Sequence, residues 1–501
     1  CYSENLEVVG ADTVIGSLEG LILLLTVDDE RYCSQLKLAL KCAVRLCDSK
    51  RQYCEKFVDL LGSRLGSIDS NSSIIICEAL GAIGSLQPDT LLPLIDDTLK
   101  FLTDLSQLNQ PTQQQIITKI MLCTLIFQSL CGHQWNPRVL NVIYKSSESN
   151  NLWANYRIAR AAVRYGHHEI ALNIFSGLTE EVSSEHLHFW LLCLKEMCAA
   201  EAKLLENGDG VSVIDKLDFA VIHYNRAIAA LKAASTPTHN LQFQAEYMRI
   251  RAEFLQCLIQ LVHTCNTLCI VPPPAIAASI VQSSRDEFQR LGYITNQMRK
   301  CVKDFKACGD TYWKLYQTAF DADPATLENI QILQQMCVLL EQCVENVCSA
   351  SNHGKDDLIQ FISKNAKLEC RQLILACENA AKIAQTISQD QQTITHVHVE
   401  TLRSIAEVLS AVLLPIPRFF FQVLQSTSVK LSISPQPRVM GEFISVQSGS
   451  QLAVKVEGVI QHGHKPGLFR KVEGVIVTVT SQLQANSKNK DIDLKVNKYL
   501  C

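Results

Sequence analysis

No G-x-x-x-x-G-K-[ST] loop, no G-x-G-x-x-G turn and no G-x-S-x-G elbow occurs in this chain of 501 residues. Phosphate-binding loops need glycines at fixed spacing so that backbone N–H groups can converge on an anion, and the elbow holds a serine nucleophile on a tight strand-to-helix turn. The common nucleotide-dependent and serine-hydrolase chemistries are therefore not written here. Cys-x-x-Cys is missing too; the nearest spacings are Cys265-x-x-x-Cys269 and Cys337-x5-Cys343-x4-Cys348, with no histidine pair nearby to complete a set of four zinc ligands. Long apolar runs are equally scarce. The longest, Phe189 to Leu194, falls far short of the roughly 18 residues that a membrane-spanning helix needs.

The chain opens on Cys1, and Cys1 to Gly10 has neither a basic leader nor an apolar core of the kind a signal peptide carries, so the expectation is a fragment without its N-terminus. What is present is an ordinary globular composition, 47% hydrophobic and 19% charged, in a length that calls for several structural units or an elongated repeat array. The 21 cysteines sit in apolar helical patterns (Cys193, Cys257, Cys337, Cys377), where a free thiol behaves as a small hydrophobe, and they point to a reducing compartment.

Residues 1–150 alternate apolar-periodic segments with short polar breaks, the pattern of HEAT or armadillo-type helix pairs of about 40 residues. Arg31 to Cys47 carries Leu36, Leu40, Ala43, Val44 and Cys47 on one face; Arg51 to Leu61 carries Tyr53, Phe57 and Leu60. Pro88 with Asp89 opens Thr90 to Leu105, and Pro111 opens Thr112 to Leu130, where a missing N–H costs nothing. Residues 151–414 continue the solenoid with longer helices. The first pair is TPR-like, with Trp153, Tyr156, Ile158, Ala159 and Ala162 on one helix, a turn at Tyr165-Gly166, and Ile170, Ala171, Ile174 and Phe175 on the next. Helices follow at Ser184 to Glu206, Val213 to Ala234 and Leu241 to Leu268. After Pro272-Pro273-Pro274 come two segments to Phe320, then a helix from Asp323-Pro324 to about Ser351 stopped by Asn352-His353-Gly354, then Asp357 to Ser388 and His396 to Leu414.

Residues 415–437 form a proline-rich junction. Pro415, Pro417, Pro435 and Pro437 forbid a continuous helix, and Phe419-Phe420-Phe421 between them would be costly in a free linker, so the junction is expected to pack against a neighbour. From Val429 onward the period switches to alternation, and residues 438–501 are assigned to a β-sandwich domain. Val429 to Ser434, Glu442 to Gln447, Leu452 to Gln461 and Phe469 to Ser481 read as antiparallel strands, and Ile492 to Val496 begins another. Val456-Glu457-Gly458-Val459-Ile460 recurs as Val472-Glu473-Gly474-Val475-Ile476, which suggests a hairpin turning through His462 to Gly467, with the glycines as bulges. So few strands make an incomplete β-sandwich, cut short at its end. From Val429 onward there are ten Lys and Arg against five Asp and Glu, but few aromatics, so a solvated, edge-protecting lysine pattern is preferred to a nucleic-acid face.

Four histidine pairs invite a metal: His167-His168, His186-x-His188, His396-x-His398 and His462-x-His464. Adjacent positions on a helix point about 100° apart and alternate ones about 200°, so the helical pairs cannot share an ion unaided. No catalytic, cofactor-binding or metal-ligating residues are assigned, and no enzyme is expected.

A solenoid followed by a β-sandwich is also the plan of the large chains of vesicle-coat adaptors, and Leu91-Leu92-Pro93-Leu94-Ile95-Asp96 approaches a clathrin-box pattern. Adaptors of that type separate trunk from ear by a long polar hinge, whereas this junction is short and apolar. The stretch Ser434 to Phe443, the duplicated Val-Glu-Gly-Val-Ile and Asn151 to Tyr156 instead resemble the Integrator complex subunit 7 family, over essentially the whole chain, as a central and C-terminal portion truncated at both ends. That resemblance implies a non-catalytic nuclear scaffold of an assembly that associates with RNA polymerase II and processes nascent transcripts, including small nuclear RNA 3′ ends. Its implied partners are other Integrator subunits and, indirectly, the polymerase assembly. It implies no cofactor, small-molecule substrate, membrane or direct nucleic-acid contact. No short motif defines the family, so no site residue is carried across.

Overall fold

The computed structural model describes residues 11–25, 32–65, 70–108, 110–147, 151–206, 212–236, 241–269, 280–348, 368–385, 396–422, 427–435, 453–463, 467–481 and 495–500. Chain contacts divide it into two compact units, one made of Cys1–Tyr316 with Ala325–Gln422 and the other of Gln317–Pro324 with Val423–Cys501. The fold is an α-solenoid followed by a partial antiparallel β domain.

In the first unit the helices are α1 Ala11–Leu25, α2 Cys33–Ser49, α3 Cys54–Gly62, α4 Ser70–Leu86, α5 Ile95–Ser106, α6 Gln113–Ser129, α7 Pro137–Ser147 and α8 Leu152–Arg164. They continue with α9 His168–Glu181, α10 Glu185–Leu205, α11 Val213–Ala234, α12 Gln242–Cys269, α13 Ile280–Thr318, α14 Pro324–Cys348, α15 Leu368–Gln385 and α16 His396–Ser410. Local chemistry sets many of the starts. Thr112 caps α6 with a full capping box: its hydroxyl accepts from the Gln115 N–H, and the Gln115 side chain accepts from the Thr112 N–H. Asn151 accepts from the Ala154 N–H ahead of α8, and Ser212 from the Ile214 N–H ahead of α11. Gly166 turns α8 into α9 at φ +80°, a conformation glycine adopts without steric cost.

From α2 to α8 every second helix packs on the next: α2 on α4, α4 on α6, α6 on α8. From α8 to α12 each helix packs on its immediate successor. Then the chain returns on itself. α16 packs on α12 and α15, Arg371 of α15 donates to the Leu86 carbonyl at 2.8 Å, and Glu369 pairs with Arg164 of α8. Among the described residues, no helix is long and apolar enough to cross a membrane.

Several expectations need correction. On α3 the buried face is Cys54, Phe57, Val58 and Leu61, rotated from the expected one, with Tyr53 in a preceding 3₁₀ turn and Leu60 half-buried. On α2, Leu46 and Ala39 are buried and Val44 is half-buried. Pro88–Leu94 is a 3₁₀ helix, not the start of α5, because Pro93 lacks the N–H that an α-helical bond needs. Residues 280–318 make one 39-residue helix instead of two segments. Its interior has no proline, and Gly309 lies so close to α14 that an added Cβ would sit 3.4 Å from Cys337 Cβ. Trp153 is exposed; Tyr156 fills the α8–α9 groove against Phe175 and accepts from Trp190 Nε1. The expected stop at 352–354 and the first part of the helix expected from Asp357 lie outside the described residues.

In the second unit β1 Ser428–Ser434 pairs antiparallel with β2 Lys455–Gln461, and β3 Ile476–Ser481 pairs antiparallel with β4 Lys495–Leu500, as two separate two-stranded sheets. The two Val-Glu-Gly-Val-Ile copies do not form a hairpin, and Gly458 is no bulge: it lies opposite Leu431 in an unbroken register. A hairpin of the two copies would set Gly458 against Gly474, with no side chain to pack, whereas here Leu431 covers the gap and Val429 and Ile433 face Ile460 and Val456. Thr427 ties the base of β1 down, its N–H and hydroxyl both donating to the Asp321 carboxylate. The strand expected at Glu442 to Gln447 lies outside the described residues.

Candidate functional site: the junction clasp and its arginine-lined cleft

The segment Val412 to Phe421, which takes in the first part of the junction, is buried within the helical unit except at Leu413, which is half-buried, and Arg418, which is exposed. Its prolines bar an α-helix and leave local bonds only in the 3₁₀ turn Arg418–Phe421, so other backbone groups must find partners elsewhere. They find them on four helices. The Ile416 N–H donates to the Val163 carbonyl of α8 at 3.3 Å, and the Leu414 carbonyl meets His168 Nε2 of α9 at 2.7 Å. Gln244 Nε2 of α12 donates to the Phe420 carbonyl at 2.8 Å, while Asn329 Nδ2 of α14 donates to the Pro415 carbonyl at 3.2 Å. Side chains follow the same route: Phe420 stacks on Trp190 of α10 at 6.0 Å and meets Tyr247 of α12 edge-on at 5.8 Å, and Phe419 meets Phe243 edge-on at 4.9 Å. The apolar junction is thus a clasp that locks helices far apart in sequence.

One side of the clasp walls a cleft of about 450 Å³ between α4, α6 and α8. Arg157, Arg160 and Arg164 come from one face of α8, at i, i+3 and i+7, and Arg418 comes from the clasp. Ile120, Met121, Leu125, Ile416 and Phe421 supply the apolar lining. Aromatic rings hold two of the guanidinium groups, Arg157 over Trp153 at 5.1 Å and Arg160 over Phe421 at 5.2 Å. Arg164 is held by Glu369. Neither Arg157 nor Arg160 makes an ion pair among the described residues. Burial, and behind it the like charges of Arg157, Arg164 and Arg418, pull the Arg160 pKa below its ordinary value.

Other charged and nucleophilic groups are committed to the interior. Arg251 and Glu201 are both buried, joined by Nε–Oε1 and Nη2–Oε2 contacts of 3.0 and 3.1 Å, and the Tyr224 hydroxyl donates to Glu201 at 2.5 Å. Burial alone would lower the Arg251 pKa, but the Glu201 carboxylate overrides it and the net shift is upward. His167 accepts from Trp135 Nε1 through Nδ1 and donates through Nε2 to the Phe127 carbonyl at 2.8 Å, the pattern of a neutral ring; burial pushes its pKa down to about 4. His168, on the clasp, is pushed down by burial as well. The neighbours His167 and His168 therefore face different carbonyls and share no ligand. Burial raises the Cys77, Cys123 and Cys131 thiols to about 12, which leaves them poor nucleophiles at neutral pH.

Of the remaining histidine pairs, His188 meets the Thr179 carbonyl at 3.1 Å while His186 is exposed; His398 is buried and His462 exposed. The side chains of His396, Cys269 and Cys348, and the whole of His464, lie outside the described residues. Among the described residues, no group of three or more His, Cys, Asp or Glu is placed to hold a metal ion. Leu91 and Leu94 of the clathrin-box-like stretch are turned inward, against Gly84 and Gly62, and are not presented as a linear peptide. The arginine face of α8 went unnoticed in the sequence, although its i, i+3, i+7 spacing was there to read. The approach of Arg418, more than 250 residues away in sequence, had no local signal.

Sequence models described as Integrator complex subunit 7, N-terminal, as its helical bundle and as its C-terminal domain match residues 1–167, 168–347 and 430–499. The chain is similar to Integrator complex subunit 7 of Gallus gallus, 36% identical over 496 residues that cover 97% of this chain and 51% of the relative. It is similar to that of Homo sapiens, 35% identical over 497 residues, 97% and 51%, and of Drosophila melanogaster, 33% over 521 residues, 93% and 51%. The chain spans about half the length of the curated relatives it matches.

Proposed function

Because the chain belongs to the Integrator complex subunit 7 family, we propose that it is a non-catalytic structural subunit of the nuclear Integrator complex, which associates with RNA polymerase II and processes nascent transcripts, including small nuclear RNA 3′ ends. The observation that carries the scaffold role is the clasp. A docking frame must hold its helices in one arrangement before partners arrive, and residues 412–421 do this by bonding α8, α9, α12 and α14 through one segment. Helical arrays offer long surfaces for partners, and exposed apolar side chains such as Leu187, Ile222 and Trp313 are available on them. The burial of the Glu201–Arg251 pair and of His167 supports the same reading, since these groups are bonded within the fold. Other Integrator subunits are its direct partners, and the polymerase is reached through them.

The test is affinity purification of the tagged full-length protein from nuclear extract, joined to its depletion in cells. Recovery of the other Integrator subunits and the polymerase, with lengthened small nuclear RNA 3′ ends on depletion, is the expected result. Recovery of vesicle-coat proteins instead, with membrane-bound puncta, would overturn it.

A further inference from the structure

We propose that the cleft between α4, α6, α8 and the clasp is a binding site for a phosphorylated peptide. Its polar wall is already satisfied internally: Gln128 Nε2 donates to the Gly81 carbonyl and to Ser85 Oγ, and the Ser85 and Thr124 hydroxyls donate to the Gly81 and Ile120 carbonyls. Glu78 is drawn off by Lys37 at 3.4 Å. The charge that remains for a ligand is positive, from Arg157 and Arg160. The Trp153 and Phe421 rings hold these two by cation–π contact, which does not use up their N–H groups as donors to oxygen acceptors.

Ligand class follows from charge, size and lining. A carboxylate carries a single charge, less than the two guanidinium groups of Arg157 and Arg160, whereas a phosphorylated side chain carries about −1.5 to −2 with three acceptor oxygens. The cavity, about 450 Å³, has the size of a pocket for a compact ligand and not of a groove that tracks a nucleic-acid backbone. Its apolar lining of Ile120, Met121, Leu125, Ile416 and Phe421 is wasted on inorganic phosphate or an inositol polyphosphate, which carry little hydrocarbon. A phosphorylated residue with apolar neighbours in the chain fits both walls. The site does not depend on the scaffold reading, since the cleft belongs to the fold of this chain alone.

The experiment passes a peptide library with a central phosphoserine and randomised neighbours, and the same library with serine, over the immobilised full-length chain. Enriched phosphopeptides are then measured by fluorescence anisotropy beside inositol hexakisphosphate and a single-stranded RNA. The expected result is enrichment only from the phosphorylated library, with apolar residues flanking the phosphoserine. Binding should weaken about tenfold or more in Arg157→Glu, whose side chain is exposed and leaves the fold intact by far-ultraviolet circular dichroism, and likewise in Arg160→Lys, which keeps the charge but loses the planar fork. No phosphate-dependent enrichment, tighter binding of the RNA or the inositol phosphate, or retention of phosphopeptide affinity in Arg157→Glu would each overturn the proposal.

Discussion

Removing the Phe420 ring should open the clasp without unfolding the rest of the helical unit. The side chain is fully buried, stacked on Trp190 at 6.0 Å and in edge contact with Tyr247 at 5.8 Å and Phe421 at 5.6 Å. Burial of a side chain of this size contributes about 1.5 to 3 kcal/mol, and each aromatic pair adds about 0.5 to 1.5 kcal/mol. The cavity left behind cannot collapse freely, because Gln244 and Asn329 still hold the backbone on either side. Phe420→Ala is therefore expected to cost about 3 to 5 kcal/mol. Mass-spectrometric hydrogen exchange is the suitable assay, since it reads local opening separately from global unfolding. In the parent chain, peptides covering 412–421 should be protected as strongly as those from α8, because the Ile416 N–H is bonded to the Val163 carbonyl. In the variant that protection should fall by about a hundredfold to a few thousandfold, the same free energy expressed as an equilibrium constant. Rapid exchange of 412–421 in the parent, or unchanged protection in Phe420→Ala, would refute the clasp.

Glu201→Gln should destabilise the helical unit by about 3 to 5 kcal/mol, because it leaves the buried Arg251 charge unpaired; the joint replacement Glu201→Leu with Arg251→Met should cost less than the single change, and urea midpoints showing the reverse order would refute this. The neutral His167 gives a pH dependence of defined sign: its folded pKa, about 4, lies below the unfolded value near 6.5. Its contribution is therefore complete above pH 6.5 and is lost as the pH falls from there to 4, by about 3 kcal/mol in total. His167→Gln should flatten that part of a urea-midpoint profile, and an unchanged slope would count against the assignment. Gly166→Ala should cost more than the roughly 1 to 2 kcal/mol of a left-handed alanine, since its Cβ would also fall 2.1 Å from Leu413 Cδ2 on the clasp; a neutral effect in the same titration would show that the α8–α9 turn and the clasp are not in contact.

Much of the fold was legible because it is locally encoded. Val213–Ala234 has the boundaries its polar flanks announce, Thr112 and Gln115 carry their capping box in the sequence, and Gly166 marks its turn. The buried faces of α9 follow from apolar spacing alone, with Ile170, Ala171, Ile174 and Phe175 all inside. Family membership was legible too, through overall likeness. Less was readable where two local signals compete, as at Pro88–Leu94, where a proline-initiated helix and a second proline inside it leave a 3₁₀ turn.

Sequence by itself determined that the regular elements among the described residues are helices up to Ser410 and strands from Ser428, since helical and strand periods are properties of neighbouring residues. It also determined that Phe419, Phe420 and Phe421 must be covered, since hydrophobic burial depends on the side chains themselves. Only tertiary structure decided what covers them. The return of α15 and α16 along earlier helices, the seating of the clasp, and the meeting of Arg418 with Arg157 and Arg160 join segments hundreds of residues apart. So did the pairing of β2 with β1, where Leu431 covers Gly458, over the hairpin that the repeated pentapeptide suggested. Hydrophobic attraction is non-directional and names no partner; the partner is chosen by which surfaces fit once all the elements exist together.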